Sequence, residues 1–254
     1  MEVESSPLLF TRSNGDQLVI VGSDDNESPG EDQTGLMALD AHDGHLVWQF
    51  QPETERTVTA FDTNKTGHGC GDVWGSPAFY DSGSPSTSLF LFGTGNCADP
   101  AAGEQVPSEA VWAIDAESGA FRGVFSQAGT AADKTYGGDD DFGSSAIVSP
   151  APIQGHPAVL ALNKSGFVYA LRLDSQPLMQ PIWATQVAQP GQTGPAAAGA
   201  IGGFISSGAV GQAGGKPALF AASAIPLPFK GNGPTSSAGP QVDDTLTNDP
   251  GRVS

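Results

Sequence analysis

The residue types able to do chemistry cluster in three short stretches. GHGCGDVW (67–74) holds His68, Cys70 and Trp74, GTGNCADP (93–100) holds Asn96 and Cys97, and GGDDDFGSSAIV (137–148) holds Asp139 and Asp141. Amide and carboxylate oxygens are hard donors of the kind divalent cations take. A positioned carboxylate can also remove a proton from a hydroxyl. The plainer reading is that GTGN is a strand-end turn and the aspartate run a solvated acidic loop. His68 is a lone histidine among glycines and reads first as a surface loop residue. Lys134 and Lys164 could face an anionic group, although turn lysines are more often simply solvated.

Other chemistry is poorly supplied. No G-x-S-x-G elbow accompanies a matched histidine base, so the recurring serines are not nucleophiles. The two cysteines lack C-x-x-C spacing and a nearby histidine pair, which argues against zinc. No C-x-x-C-H is present, so a covalently attached haem is not expected in this piece. The chain carries 28 acidic and 10 basic residues, a formal charge of −18. Phosphate-tracking proteins need basic surface, so nucleic acid is not an expected partner. The acidity otherwise reads as a solvated surface. Residues 1–20 show no basic region leading into an apolar stretch, and no apolar run reaches membrane-spanning length.

These residues must be positioned by many short strands. The 254 residues include 34 glycines and 20 prolines, and 38% are hydrophobic. Three segments repeat a pattern: GLMALDAHDGHLVWQF (35–50), AVWAIDAESGAFRGVF (110–125), and VLALNKSGFVYALRLD (159–174) running on to PIWATQV (181–187). Period-two apolar patterning on both sides of an Asp/Gly turn predicts strand, turn, strand. Asp40 and Asp115 are expected to accept turn N–H groups, and Gly44 and Gly119 to supply positive φ.

A second register extends the unit. SSPLLF, GSPAFY, GSSAIV and ISSGAV open successive units with Ser6, Ser76, Ser145 and Ser207, spaced by 70, 69 and 62 residues. QLVIVG, SLFLFG, AVLALN and ALFAAS follow as second strands. Four antiparallel strands per unit, repeated, describe an all-β fold of β-propeller blades. The expected units are about 5–50, 73–125 and 141–187, with a partial one over 203–229. Segments 51–72, 126–140 and 188–202 are expected as connecting loops, and 230–254 as a polar flexible tail. Three and a half blades fall short of a closed ring, so the expectation is a piece of a longer protein or several copies assembling. Cys70 and Cys97 lie at one edge of the second unit, a geometry that allows either a disulfide or two free thiols. The disulfide would agree with export.

On these residues the chain resembles the quinoprotein (pyrroloquinoline quinone-dependent) alcohol dehydrogenase-like propellers. A-[LI]-D-A-x-x-G-x-x-x-W from Ala38 to Trp48 is similar to their tryptophan-docking motif, in which blade tryptophans lock neighbouring blades. The second copy has Gly123 where the tryptophan would stand, and Trp183 is placed like a docking tryptophan in the third. DVWGSPAFYDSGSPSTSLFLFGTGNCADP (72–100) resembles a stretch of alcohol and polyvinyl-alcohol dehydrogenases, and GGDDDFGSSAIV resembles their D-x-D-F-G segment.

The resemblance implies an enzyme oxidising a small hydroxyl-bearing substrate with pyrroloquinoline quinone and calcium, and passing electrons to a separate acceptor. Asn96 and Asp141 would then hold the metal. Asp141, or else Asp139, would be the catalytic base, and Trp74 and Lys164 would join Asn96 around the cofactor. No adjacent cysteine pair of the kind these enzymes place over the quinone is found. The alternative is a non-enzymatic propeller of the same repeat acting as an interaction scaffold, with an envelope protein as partner. Either reading implies a periplasmic or extracellular protein.

Overall fold

The computed structural model describes residues 3–23, 34–60, 70–95, 109–126, 141–188 and 203–223. All regular structure among them is β-strand apart from two single-turn 3₁₀ segments. The first sheet contains β1 (Leu8–Thr11), β2 (Gln17–Ser23), β3 (Gly35–Asp40), β4 (Leu46–Gln51) and β5 (Arg56–Val58). The second contains β6 (Ala78–Tyr80), β7 (Leu89–Gly93), β8 (Ala110–Asp115) and β9 (Phe121–Ser126). The third contains β10 (Ile147–Val148), β11 (Ala158–Leu162), β12 (Phe167–Arg172) and β13 (Pro181–Gln186). A hairpin of β14 (Ala209–Ala213) and β15 (Lys216–Phe220) follows.

Each sheet is antiparallel with its strands in sequence order. These are sheets of four or five strands resembling propeller blades. β5 corrects one expectation: Arg56–Val58 falls in a stretch read as loop, yet it pairs with β4 as a fifth strand. Its three residues carry too short an apolar signal to be told from a turn.

The repeated hairpin forms as its residues dictate. Asp40 Oδ1 accepts the N–H of His42 at 2.7 Å and of Asp43 at 3.3 Å. Asp115 Oδ1 accepts those of Glu117 at 3.1 Å and Ser118 at 2.9 Å. Gly44 and Gly119 sit at φ +78° and +70°, where a Cβ would be strained. The register breaks at one equivalent point in all three sheets, between Ala38 and Leu39, Ala113 and Ile114, and Ala170 and Leu171. Such bulges bend and twist a strand pair.

The apolar core lies between sheets, not within one. Leu36, Trp48 and Phe50 of the first sheet pack on Phe90, Phe92 and Trp112 of the second. Leu91 and Val111 pack on Phe142 and Tyr169 of the third, and Leu162 and Ala170 on Phe204 and Leu219 of the hairpin. Central strands such as β8 and β11 are therefore buried on both faces and lose the alternation of a one-sided sheet.

The docking positions solve one packing problem in opposite ways. Trp48 lies against Gly119 of the next sheet, where a Cβ would stand 2.7 Å from the indole. Gly123 holds the equivalent register position, opposite Ala113 as Trp48 is opposite Ala38. There the longer β12–β13 turn reaches back instead, and Leu178 Cβ would lie 2.7 Å from a Cβ on Gly123. A large side chain against glycine becomes glycine against a large side chain. Trp183 holds the same position opposite Ala170 and packs at the edge of the cluster with the hairpin.

The opening serines form a ladder. Ser6 N–H donates to Ser76 Oγ at 2.9 Å, Ser76 N–H to Ser145 Oγ at 2.9 Å, and Ser145 N–H to Ser207 Oγ at 3.2 Å. Their recurrence joins each unit to the next.

Candidate functional site

Three of the five expected site residues meet at the junction of the second and third sheets. Trp74 precedes β6, Asp141 lies in the segment leading to β10, and Lys164 occupies the turn between β11 and β12. All three stand at the sheet ends from which β6 and β10 set out. Asn96 and Asp139 lie outside the described residues, as do Cys97, His68 and Lys134.

Backbone contacts lock this junction. Phe142 N–H donates to Thr94 O at 3.1 Å, and Gly95 N–H to Asp72 O at 3.0 Å. Lys164 N–H donates to Asp141 O at 2.9 Å. Gly93 lets the two sheets approach: a Cβ there would stand 2.1 Å from Phe142 O. The Trp74 indole lies against Gly95 and Gly143, where added Cβ atoms would come within 2.8 Å and 2.7 Å of the ring. Side chains at either position would displace it.

The charges are buried. Asp141 is 1% exposed, and its Oδ2 pairs with Lys164 Nζ, whose side chain is 12% exposed. Lys164 Nζ also lies 4.5 Å from the centre of the Trp74 ring, within cation–π range. Trp74 Nε1 is buried and makes no hydrogen bond among the described residues. The ammonium thus lies over the Trp74 ring with its charge paired to Asp141, whose carboxylate is a hard oxygen donor of the kind divalent cations take. A concavity of about 520 Å³ lies elsewhere, at the far end of the first two sheets, lined by Phe10, Phe79, Asp81 and Glu117 among others. None of the three converging residues lines it.

Cys70 is wholly buried. Its N–H donates to Glu53 Oε2 at 3.3 Å, and its carbonyl accepts from Thr34 Oγ1 at 2.9 Å. No free cysteine occurs among the described residues.

One grouping was not anticipated as a metal site. Ligand atoms of Asp40, Asp43 and His45 lie within 4.8 Å of one another. The same atoms build the turn: Asp43 Oδ1 accepts His45 N–H at 3.0 Å and contacts His45 Nδ1 at 2.6 Å. The His45 backbone and ring hydrogen bonds hold the Asp43 carboxyl below its usual range, and the Asp43 hydrogen bond raises the His45 imidazole. A ligating histidine must be neutral, so this pairing works against metal binding.

No helix among the described residues is long and apolar enough to cross a membrane. No protein-family model matches the chain, and no curated protein does. Among solved structures, the chain is similar to the quinohemoprotein alcohol dehydrogenase ADHIIG from Pseudomonas putida HK5, with TM-score 0.51 and 17% identity over 73% of this chain and 28% of that one. It is also similar to the quinohemoprotein alcohol dehydrogenase from Comamonas testosteroni, with TM-score 0.49 and 15% identity over 79% and 31%. A europium-containing methanol dehydrogenase gives TM-score 0.49 and 21% identity over 72% and 34%. The chain thus spans about a third of the length of these proteins. The likeness is distant and partial, and what it shows is the fold.

Proposed function

We propose that this chain is a module of a quinone-dependent alcohol or polyol dehydrogenase. The observation that carries the reading is the meeting of Trp74, Lys164 and Asp141 at one sheet junction. Pyrroloquinoline quinone, when bound, supplies the two-electron acceptor, and calcium polarises its carbonyl. Trp74 would give the flat ring system an aromatic wall, and Lys164 would face its negative charge. Asp141 would take the substrate hydroxyl proton onto its carboxylate. Asn96, the residue after Gly95, is proposed as the second oxygen donor to the cation, and Asp139 as the reserve base. A small hydroxyl-bearing substrate, a separate electron acceptor and a periplasmic or extracellular location belong to the same proposal, as does a Cys70–Cys97 disulfide.

The test is titration of the full chain with pyrroloquinoline quinone, with and without calcium, read by tryptophan fluorescence. Calcium-dependent quenching that Trp74→Leu removes is the expected result. Absence of quenching in both conditions overturns the reading.

One observation favours a second reading. Lys164 and Asp141 already neutralise each other, and their backbones are bonded. As a brace the pair would serve a non-enzymatic propeller acting as a scaffold, with an envelope protein as its partner. On that reading the titration is silent, and Asp141→Asn lowers stability alone.

A further inference from the structure

The turns of the first two sheets gather carboxylates at one end. Thr11 pairs with Gln17 and Leu18 with Asp40, so the β1–β2 and β3–β4 turns lie at the same end of the first sheet. Tyr80 pairs with Leu89 and Leu89 with Asp115, which puts the β6–β7 and β8–β9 connections together in the second. Ser13 joins the two ends: its N–H donates to Glu117 Oε1 at 2.9 Å and its hydroxyl to Oε2 at 3.3 Å. Asp16, Asp40, Asp43, Asp81, Asp115 and Glu117 stand here, and Arg12 and Arg122 are the fixed positive charges among them. Both are spoken for, since Arg12 Nε lies 3.6 Å from Glu117 Oε2 and Arg122 pairs with Asp115.

Between the β1–β2 and β6–β7 turns lies the concavity of about 520 Å³, a volume that suits a small organic ligand. Leu8, Phe10, Phe79 and Pro85 give it an apolar wall. The wall is held in place: the Phe10 and Phe79 rings are 5.2 Å apart, and Phe79 packs on buried Phe90 at 5.7 Å. The lining carries the carboxylates of Asp81 and Glu117 and no lysine, arginine or histidine. Glu117 is committed to Ser13 and Arg12. Asp81 is not. Its Oδ1 accepts Gly83 N–H at 2.8 Å, which orients the carboxylate, and its Oδ2 accepts no hydrogen bond among the described residues.

We infer that this cleft binds a small organic cation. An alkyl or aryl body lies against Phe10 and Phe79, and an ammonium meets Asp81 Oδ2. The acidic sheet ends draw cations toward the cleft. Aromatic faces favour an ammonium as well. An anionic ligand would meet the Asp81 charge with no cation beside it, and a neutral one would leave that charge uncompensated. None of these residues belongs to the Trp74 junction, so the inference does not rest on the quinone reading.

Heteronuclear NMR titration of the full chain with phenethylammonium is the test, with phenethyl alcohol as the uncharged probe of the same shape. Saturable shifts are expected at the Gly83 and Ser13 amides, with a Kd of about 1 mM or tighter at low salt. The alcohol is expected to bind about threefold or more weakly, and about 0.5 M salt to erase most of the difference. Asp81→Asn keeps an oxygen for Gly83 N–H and is expected to abolish the preference for the ammonium. Should that variant lose its dispersed spectrum, Ser84→Lys is the second: a competing ammonium on the lining is expected to weaken binding by a similar factor. No saturable shift up to about 10 mM, ten times that Kd, overturns the proposal. So do shifts confined to residues away from the cleft, equal binding of the alcohol, or a preference that survives Asp81→Asn or Ser84→Lys unchanged.

Discussion

Lys164 Nζ lies 4.5 Å from the centre of the Trp74 ring while it pairs with the carboxylate of Asp141. One cation thus ties an aromatic side chain of the second sheet to a buried acid of the third. Lys164→Met would leave the Asp141 charge in place with its ammonium removed. We expect a loss of about 3–5 kcal/mol in urea unfolding. Adding Asp141→Asn should recover part of it, a coupling that a double-mutant cycle measures.

Substrate turnover separates a catalytic Asp141 from a bracing one. In the quinone- and calcium-loaded protein, Asp141→Asn should lower kcat by about 10²–10⁴-fold. Quinone binding should survive at saturating calcium, because the asparagine keeps an oxygen donor for the cation. Equal loss of both would assign Asp141 to holding the site rather than to proton transfer.

The two docking solutions predict different sensitivities. Gly119→Ala forces a Cβ into the Trp48 indole at positive φ, and we expect a cost of about 2–4 kcal/mol. Leu178→Ala empties the partly buried place beside Gly123 and should cost about 1–2 kcal/mol. Gly123→Trp alone should be worse than Leu178→Ala, because the turn already fills the space. Thermal unfolding of the three variants ranks them.

Asp115 gives an acid-side prediction. It is 5% exposed; burial raises its carboxyl, but hydrogen bonds from Arg122 and Ser118 outweigh this and hold it below the usual carboxylate range. A depressed native value means the unfolded chain binds the proton first as pH falls. The stabilisation is therefore complete above the unfolded value of about 3.9 and is lost as pH drops through the native one. Arg122→Met should shift the acid unfolding midpoint upward, with a stability deficit that shrinks below pH ~4. Circular dichroism against pH measures both.

The repeated hairpin was legible because its signals are local. Period-two apolar residues, an aspartate and a glycine lie within 16 residues of one another, and Asp40, Gly44, Asp115 and Gly119 act as their types dictate. Leu178 was not legible as a filler. The space it occupies is defined by Gly123, on another sheet and 55 positions away. The serines were legible as a recurrence but not as a ladder, since each bond crosses between units. Trp74, Asp141 and Lys164 could be named from local stretches and a resemblance. Their pairing depends on how closely Gly93 and Gly95 let two sheets approach, a distance that no local pattern encodes.

The serine ladder has a direction. Every joint uses the same donor and the same acceptor, so any unit is chemically equipped to follow any other. A gene encoding such an array can gain or lose a whole unit by duplication or deletion in frame, and the new seam already has its hydrogen bond. Side-chain packing, as at Gly123 and Leu178, can then be refitted afterwards, one seam at a time.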